Sequence, residues 1–242
     1  MTAEAWFLVP AAAVALGVLA LAPLGAQVLA RGVVFIDLAV AQAAAAAALW
    51  AGAWIDHPSL LQSQGAAAAG ALGCAAAVAA LARRRPAQRE ALIGLLYVLG
   101  ACAALLGARQ DPHGRERLAE LLAADVLWAG MPQVALLAAC AAAVALARRV
   151  LGRDALFYPV FALAASVAVP VLGLFVVFAA LIAPALWQRA GWPALVATLG
   201  AVAAGGIGLA LSWLLDAPSG ACVATTLAGY GTLSVLKREN LA

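Results

Sequence analysis

Charged residues are scarce in this chain. Only 10% of its 242 residues are Asp, Glu, Lys or Arg, while 67% are hydrophobic. A soluble domain is about a quarter charged and about half apolar. Because so few polar groups cannot cover so much apolar surface, an ordinary soluble domain is excluded and the lipid bilayer is the expected solvent. The sequence therefore predicts a single transmembrane domain over residues 1–242.

Lysine and known catalytic motifs are also scarce. Lys237 is the only lysine, and the arginines lie between apolar runs, which argues against the continuous basic surface of a nucleic-acid-binding protein. The chain has no GxxxxGK[ST] run for a P-loop ATP site, and no GxSxG, HExxH or CxxC motif. An intramembrane protease or lipid-processing enzyme would need catalytic groups at membrane depth, whereas both histidines fall between apolar runs. We therefore expect no enzymatic activity and no bound cofactor.

Long apolar runs fill most of the chain. A helix needs about 20 apolar residues to cross the hydrocarbon core, and the runs of suitable length are 6–30, 33–54, 65–82, 91–108, 131–147, 193–215 and 221–236. A longer block, 155–187, has Pro170 and Gly173 near its middle. Because proline interrupts helical hydrogen bonding, we expect the block to be divided in the region 169–173. The first run is too long for a signal peptide and lacks a basic start, so we expect it to be retained. The prediction is an all-α, polytopic bundle of eight to nine membrane segments with a broken helix pair near Pro170.

Basic residues near the ends of the runs predict the orientation. Cytoplasmic ends of spans carry an excess of arginine and lysine. With nine segments and the N-terminus outside, the basic residues expected on the cytoplasmic side are Arg31, Arg83, Arg84, Arg85, Arg89, Arg148, Arg149, Arg153, Arg189, Lys237 and Arg238, against Arg109, Arg115 and Arg117 outside. The C-terminus is then cytoplasmic. Between the fourth and fifth runs, residues 109–130 carry apolar side chains at helical spacing, which predicts an amphipathic helix on the outer face.

Four short patterns occur in order along the chain. They are Leu29 to Ala39 with Asp37 at the start of a small-residue helix, Arg89 to Tyr97, the pair Val169 to Leu174 with Leu181 to Ala185, and the turn Asp216 to Gly220. Together they resemble the permeases of metal-type ABC importers, the family that takes up zinc, manganese or chelated iron. That family usually has a histidine one helical turn after the aspartate, where this chain has Ala41, and a glycine where this chain has Ile36.

The resemblance implies the membrane-spanning subunit of an ATP-driven importer in the bacterial inner membrane. It further implies a homodimer, a cytoplasmic ATPase subunit that binds the ATP, and an extracytoplasmic metal-binding protein, with a divalent metal of the zinc or manganese class as the cargo. Membrane lipid is the other expected partner, and nucleic acid is not one. The alternative is a metal-independent channel or secondary transporter that has lost the family's ligands.

Three polar residues are candidates for the metal pathway. An ionisable side chain inside a span is costly and is by default a functional candidate. Asp37 matches the aspartate of the resembled motif, although it can instead pair with Arg31 or cap a helix. Glu90 can contact a cation or only stabilise the first turn of its helix. Gln42 can line the same metal pathway from a different wall or form an interhelical contact.

Two further groups of residues are weaker candidates. His57 and His113 are expected outside, where either can receive a metal or be a solvated loop residue. The predicted surface for the ATPase lies between two apolar runs and consists of Pro184, Trp187, Arg189 and Trp192. The segment 148–154 is the alternative ATPase surface, and both tryptophans can instead be interfacial anchors.

Overall fold

A computed structural model of the chain describes residues 5–55, 59–110, 114, 116, 118–119 and 124–239. Every regular element within those residues is helical. The α-helices are α1 Ala5–Arg31, α2 Ile36–Trp54, α3 Leu60–Arg84, α4 Arg89–Ala108, α5 Met131–Ala147, α6 Asp154–Leu172, α7 Leu174–Arg189, α8 Ala194–Leu215 and α9 Ser219–Glu239. Short 3-10 helices occupy Pro86–Gln88 and Val126–Trp128. The all-α prediction is confirmed.

Six helices of the described residues are long and apolar enough to cross a bilayer. They lie in α1, α2, α3, α4 with the preceding 3-10 turn, α6 and α8, whereas α5 and α7 are apolar but shorter. The chain is therefore a multi-pass membrane protein. How many of the nine segments cross the membrane stays a prediction.

Helix α1 is the centre of the bundle. It contacts α5, α6, α7 and α8, while α2 packs with α3 and α4, and α9 packs with α7 and α8. The approach of α1 to α7 is especially close at Gly25, where a Cβ atom would overlap the backbone of Leu181. Small residues permit this kind of helix contact in membranes, where van der Waals contact replaces the hydrophobic effect between helices.

The long apolar block is divided at Gly173, one of the two residues that the sequence places near its middle. Helix α6 continues through Pro170 to Leu172, and Gly173 then adopts φ +81° before α7 begins. Positive φ is open to glycine at little cost, so the glycine and not the proline ends the helix. Asp154 at the start of α6 and Arg189 at the end of α7 both bond to the C-terminal end of α1, so the chain reverses direction at Gly173.

Four of the segment ends that the charge pattern assigns to the cytoplasm, those of α1, α4, α6 and α7, meet on one face of the bundle. Arg31 at the end of α1 bonds to Asp154, and Arg189 donates to the carbonyl of Leu29. Gly32, with φ +59°, lies against the guanidinium of Arg89. The structure thus groups these ends together, and which side of the membrane they face stays a prediction.

The connection between α4 and α5 is described only in part. Leu118 packs against a small apolar cluster between α2 and α4, and Glu116 is exposed, as expected for an amphipathic segment. Val126 is fully buried in a 3-10 turn and not in a continuation of that helix. Leu121 and Leu122, which belong to the predicted apolar face, lie outside the described residues.

Candidate functional site

Asp37 is a buried carboxylate in the first turn of α2. Its side chain is 0% exposed, and neither carboxylate oxygen has a hydrogen-bond partner among the described residues. The alternative pairing with Arg31 is wrong, because Arg31 forms its ion pair with Asp154 at 2.9 Å. The position at a helix N-terminus favours negative charge, while burial without a partner opposes it. A cation bound beside Asp37 would relieve this cost.

Glu90 lies in the first turn of α4 and reaches the turn that precedes Asp37. Its Oε1 atom accepts a hydrogen bond from the backbone N–H of Val34 at 2.5 Å. The other oxygen, Oε2, is buried and has no partner among the described residues. Glu90 therefore holds the backbone that leads into α2 with Oε1, whereas Oε2 bonds to no described residue.

The turn between α1 and α2 thus brings the two candidate carboxylates to one part of the fold. Three carboxylate oxygens there are buried without a described partner, two of Asp37 and one of Glu90. Carboxylate oxygens suit hard or borderline divalent cations. In the single chain, however, Asp37 has no exposed surface, so no open cavity reaches it there.

Gln42 lies further along α2 and is 6% exposed. Its Cβ atom is 3.1 Å from the position that a Cβ atom on Gly100 would occupy, so α2 and α4 are close at this level. No group of three or more His, Cys, Asp or Glu side chains comes together within the described part of the chain. His57 and His113, the candidate receiving residues, lie outside it.

Arg31 forms a connection that the sequence did not predict. Its guanidinium donates to Asp154 Oδ1, to Gln27 Oε1 at 2.6 Å, and to the carbonyls of Leu151 and Gly152 at 3.0 Å each. It also lies over the ring of Phe157, 4.2 Å from the centroid. These contacts fasten the segment 148–154 and the start of α6 to the end of α1. No local pattern links residues about 120 positions apart, so only the fold reveals the connection.

The predicted ATPase surface is largely used inside the protein. Pro184 is buried, and Trp187 donates to the carbonyl of Tyr230 at 2.7 Å. The Trp187 ring stacks on Tyr230 at 5.2 Å and meets the Trp192 ring edge-on at 5.3 Å. Only Arg189 and Trp192 of the four are exposed, so most of this segment joins α7 to α9 within one chain.

Comparisons with known proteins identify the fold. No protein-family model matches the chain, and no curated protein sequence matches it. Among solved structures, PsaBC from Streptococcus pneumoniae in complex with Fab matches with a TM-score of 0.71 and 16% sequence identity. The match covers 93% of this chain and 89% of that one. At this identity the likeness shows a shared fold over nearly the whole length of both chains.

Proposed function

We propose that this chain is the membrane-spanning subunit of an ATP-driven importer that moves a divalent metal ion across the bacterial inner membrane. The observation that carries the proposal is Asp37, a fully buried carboxylate without a described partner at the position of the resembled motif's aspartate. The fold shared with PsaBC over 93% of the chain supports a permease of the metal-type class.

The donor atoms near the turn between α1 and α2 support a manganese-like cargo. Ala41 occupies the position of the family's usual histidine, so the oxygens of Asp37 and Glu90 are the donors at hand. An oxygen-rich site favours manganese-like over zinc-like binding, and binds more weakly than a site with imidazole or thiolate. Weak binding suits a carrier, because an ion that is held tightly cannot leave.

The proposed assembly contains two copies of the chain, a cytoplasmic ATPase subunit and an extracytoplasmic metal-binding protein. For the ATPase contact we propose the segment 148–154 rather than the segment from Pro184 to Trp192. The first is fastened to α1 by Arg31 and exposes Arg148, Arg149 and Arg153, so force applied there reaches the spans directly.

Reconstitution tests this function. The full chain is purified with a candidate ATPase subunit, placed in vesicles, and loaded with its binding protein and Mn²⁺ or Zn²⁺. ATP-dependent accumulation of Mn²⁺ is the expected result. A complex that hydrolyses ATP but accumulates neither metal would contradict the proposal.

A metal-independent channel or secondary transporter is the second candidate, and Ala41 favours it because the strongest expected metal ligand is replaced by a methyl group. The same vesicles separate the two functions. A channel or secondary transporter would move solute without ATP and without the ATPase subunit, whereas the proposed importer requires both.

A further inference from the structure

A groove lies between α3 and α6, on the face where Arg31 meets Asp154. It has a volume of about 420 Å³, within the roughly 300–1,000 Å³ of small-molecule sites. Its walls are apolar side chains, among them Leu72, Ala76 and Ala80 of α3 and Pro159 of α6, and one end is basic. From this arrangement we infer that the groove binds one anionic phospholipid, with the phosphate at the basic end and an acyl chain along the apolar wall.

The basic end consists of Arg83 and Arg84 in the last turn of α3. Both side chains are exposed. Among the described residues, Arg83 forms a single hydrogen bond, from Nε to the carbonyl of Ala79 at 3.2 Å, and Arg84 forms no ion pair. Asp154 also lines the groove, but its charge is paired with Arg31 at 2.9 Å. Two arginines therefore leave a net positive charge that complements a phosphate.

The length of the groove distinguishes a lipid from a soluble partner. From Leu72 to Arg84 the axis of α3 rises about 18 Å at 1.5 Å per residue, and one leaflet of the hydrocarbon core is about 15 Å deep. An acyl chain whose headgroup lies at Arg83 and Arg84 thus spans the apolar wall of α3. A water-soluble protein segment would reach only the rim.

The position of the groove in the membrane also fits a lipid. The arginines lie at an end that the charge pattern assigns to the cytoplasmic side, where basic pockets between spans bind anionic headgroups. The exposed alanines Ala76 and Ala80 leave space on α3 that longer side chains would fill.

Native mass spectrometry of the full chain in detergent tests the inference. The probes are phosphatidylglycerol and phosphatidylcholine with identical acyl chains. Phosphatidylglycerol is expected to bind more tightly, and the variant R83Q/R84Q is expected to bind it about 30-fold less tightly, because each basic residue near an anionic headgroup contributes about fivefold. Phosphatidylcholine binding is expected to stay the same in that variant, and excess inorganic phosphate is expected not to displace the lipid.

Matched variants control for general effects. R148Q/R149Q removes two exposed arginines of the same face outside the groove and is expected to leave phosphatidylglycerol binding within about threefold of the parent. A76L/A80L fills the apolar wall and is expected to weaken both lipids, whereas A69L, an exposed alanine of α3 outside the groove, is expected to weaken neither. Gel filtration and melting curves establish that each variant is folded.

Three results would overturn the inference. Equal losses of phosphatidylglycerol binding in R83Q/R84Q and R148Q/R149Q would mean that the lipid is attracted by the general positive charge and not by a specific site. Unchanged binding in both R83Q/R84Q and A76L/A80L would place the lipid elsewhere. Unchanged lipid binding together with loss of ATPase association in R83Q/R84Q would make the groove a protein contact.

Discussion

At the scale of single residues, Asp37 combines full burial with the absence of a described hydrogen-bond partner. A buried carboxylate of this kind costs several kcal/mol unless it is neutralised or bound to a cation. A purely structural residue would be expected to contribute stability, whereas a residue retained for transport would not. The effects of removing its charge on stability and on transport therefore distinguish the structural role from the transport role.

The variant Asp37→Asn is expected to melt at the same or a higher temperature than the parent, because it removes an unpaired buried charge at nearly constant volume. Metal uptake in vesicles is expected to fall at least about 10- to 100-fold. That is the loss of metal affinity or activity that follows when a residue bonded to a metal ligand is mutated. Asp216→Asn is the matched control, since Asp216 is exposed and adopts φ +49°, a conformation that asparagine tolerates. A lower melting temperature with normal uptake would return Asp37 to a structural role.

Gly25 is the second residue with a clear expected outcome. A Cβ atom there would overlap the backbone of Leu181, so Gly25→Ala is expected to push α1 away from α7 and destabilise the protein by about 1–3 kcal/mol, as core overpacking does. Gly206→Ala in α8 is the control, because nothing lies within 4 Å of its Cβ position, and it is expected to be neutral or stabilising by up to about 1 kcal/mol. Unfolding in detergent measures both, and equal stability of the two variants would contradict the expected clash.

The sequence identifies candidate functional residues better than it identifies the residues that they contact. The hydrophobic runs and the cost of charge in a span are enough to select Asp37 and Glu90 as candidates. The contact from Glu90 to the backbone of Val34, and that from Arg31 to Asp154, join positions far apart in the chain. No local propensity encodes such pairs, because they depend on which helices are neighbours.

At the scale of elements, the long apolar block is divided by its glycine and not by its proline. Pro170 lies inside α6, because a proline in a membrane helix can be accommodated when neighbouring groups satisfy the freed carbonyl. Gly173, three residues later, adopts φ +81° and separates α6 from α7. A backbone conformation, and not a missing hydrogen bond, therefore determines where α6 ends.

The Arg31 contacts make a testable link between α1 and the segment 148–154. Arg31→Lys keeps the charge, but one ammonium group cannot reach Asp154, Gln27 and two backbone carbonyls together. Loss of these charged hydrogen bonds is expected to cost about 1.5–3 kcal/mol in unfolding experiments. Metal transported per ATP hydrolysed is expected to fall as well, if this segment carries force from the ATPase.

Arg109→Lys is the control for that variant, since Arg109 is exposed at the end of α4 and lies outside the segment 148–154. It is expected to retain both stability and the transport ratio. A transport ratio that is unchanged in Arg31→Lys, despite lower stability, would exclude the segment 148–154 as the proposed coupling element.

At the scale of the whole molecule, the arrangement of charged ends predicts the orientation. In a variant without Cys74, Cys102, Cys140 and Cys222, single cysteines are introduced at Arg85 and at Trp128. Arg85 belongs to the face that gathers the arginines, whereas Trp128, 85% exposed, lies within the predicted outer segment, residues 109–130. A membrane-impermeant thiol reagent applied to intact cells is expected to label Trp128→Cys and not Arg85→Cys, and the reverse result would invert the topology.

The close approach of Gly25 to Leu181 also has a consequence for synthesis. Helix α1 enters the membrane well before α7 is made, and at about 5–20 residues per second the ribosome needs about 8–30 s to add the intervening chain. Throughout that interval the backbone of α1 at Gly25 lacks the neighbour that covers it in the finished protein. The central helix of the bundle is thus inserted early but gains its contact with α7 late. The rate of translation sets the earliest time at which α1 and α7 can pack together.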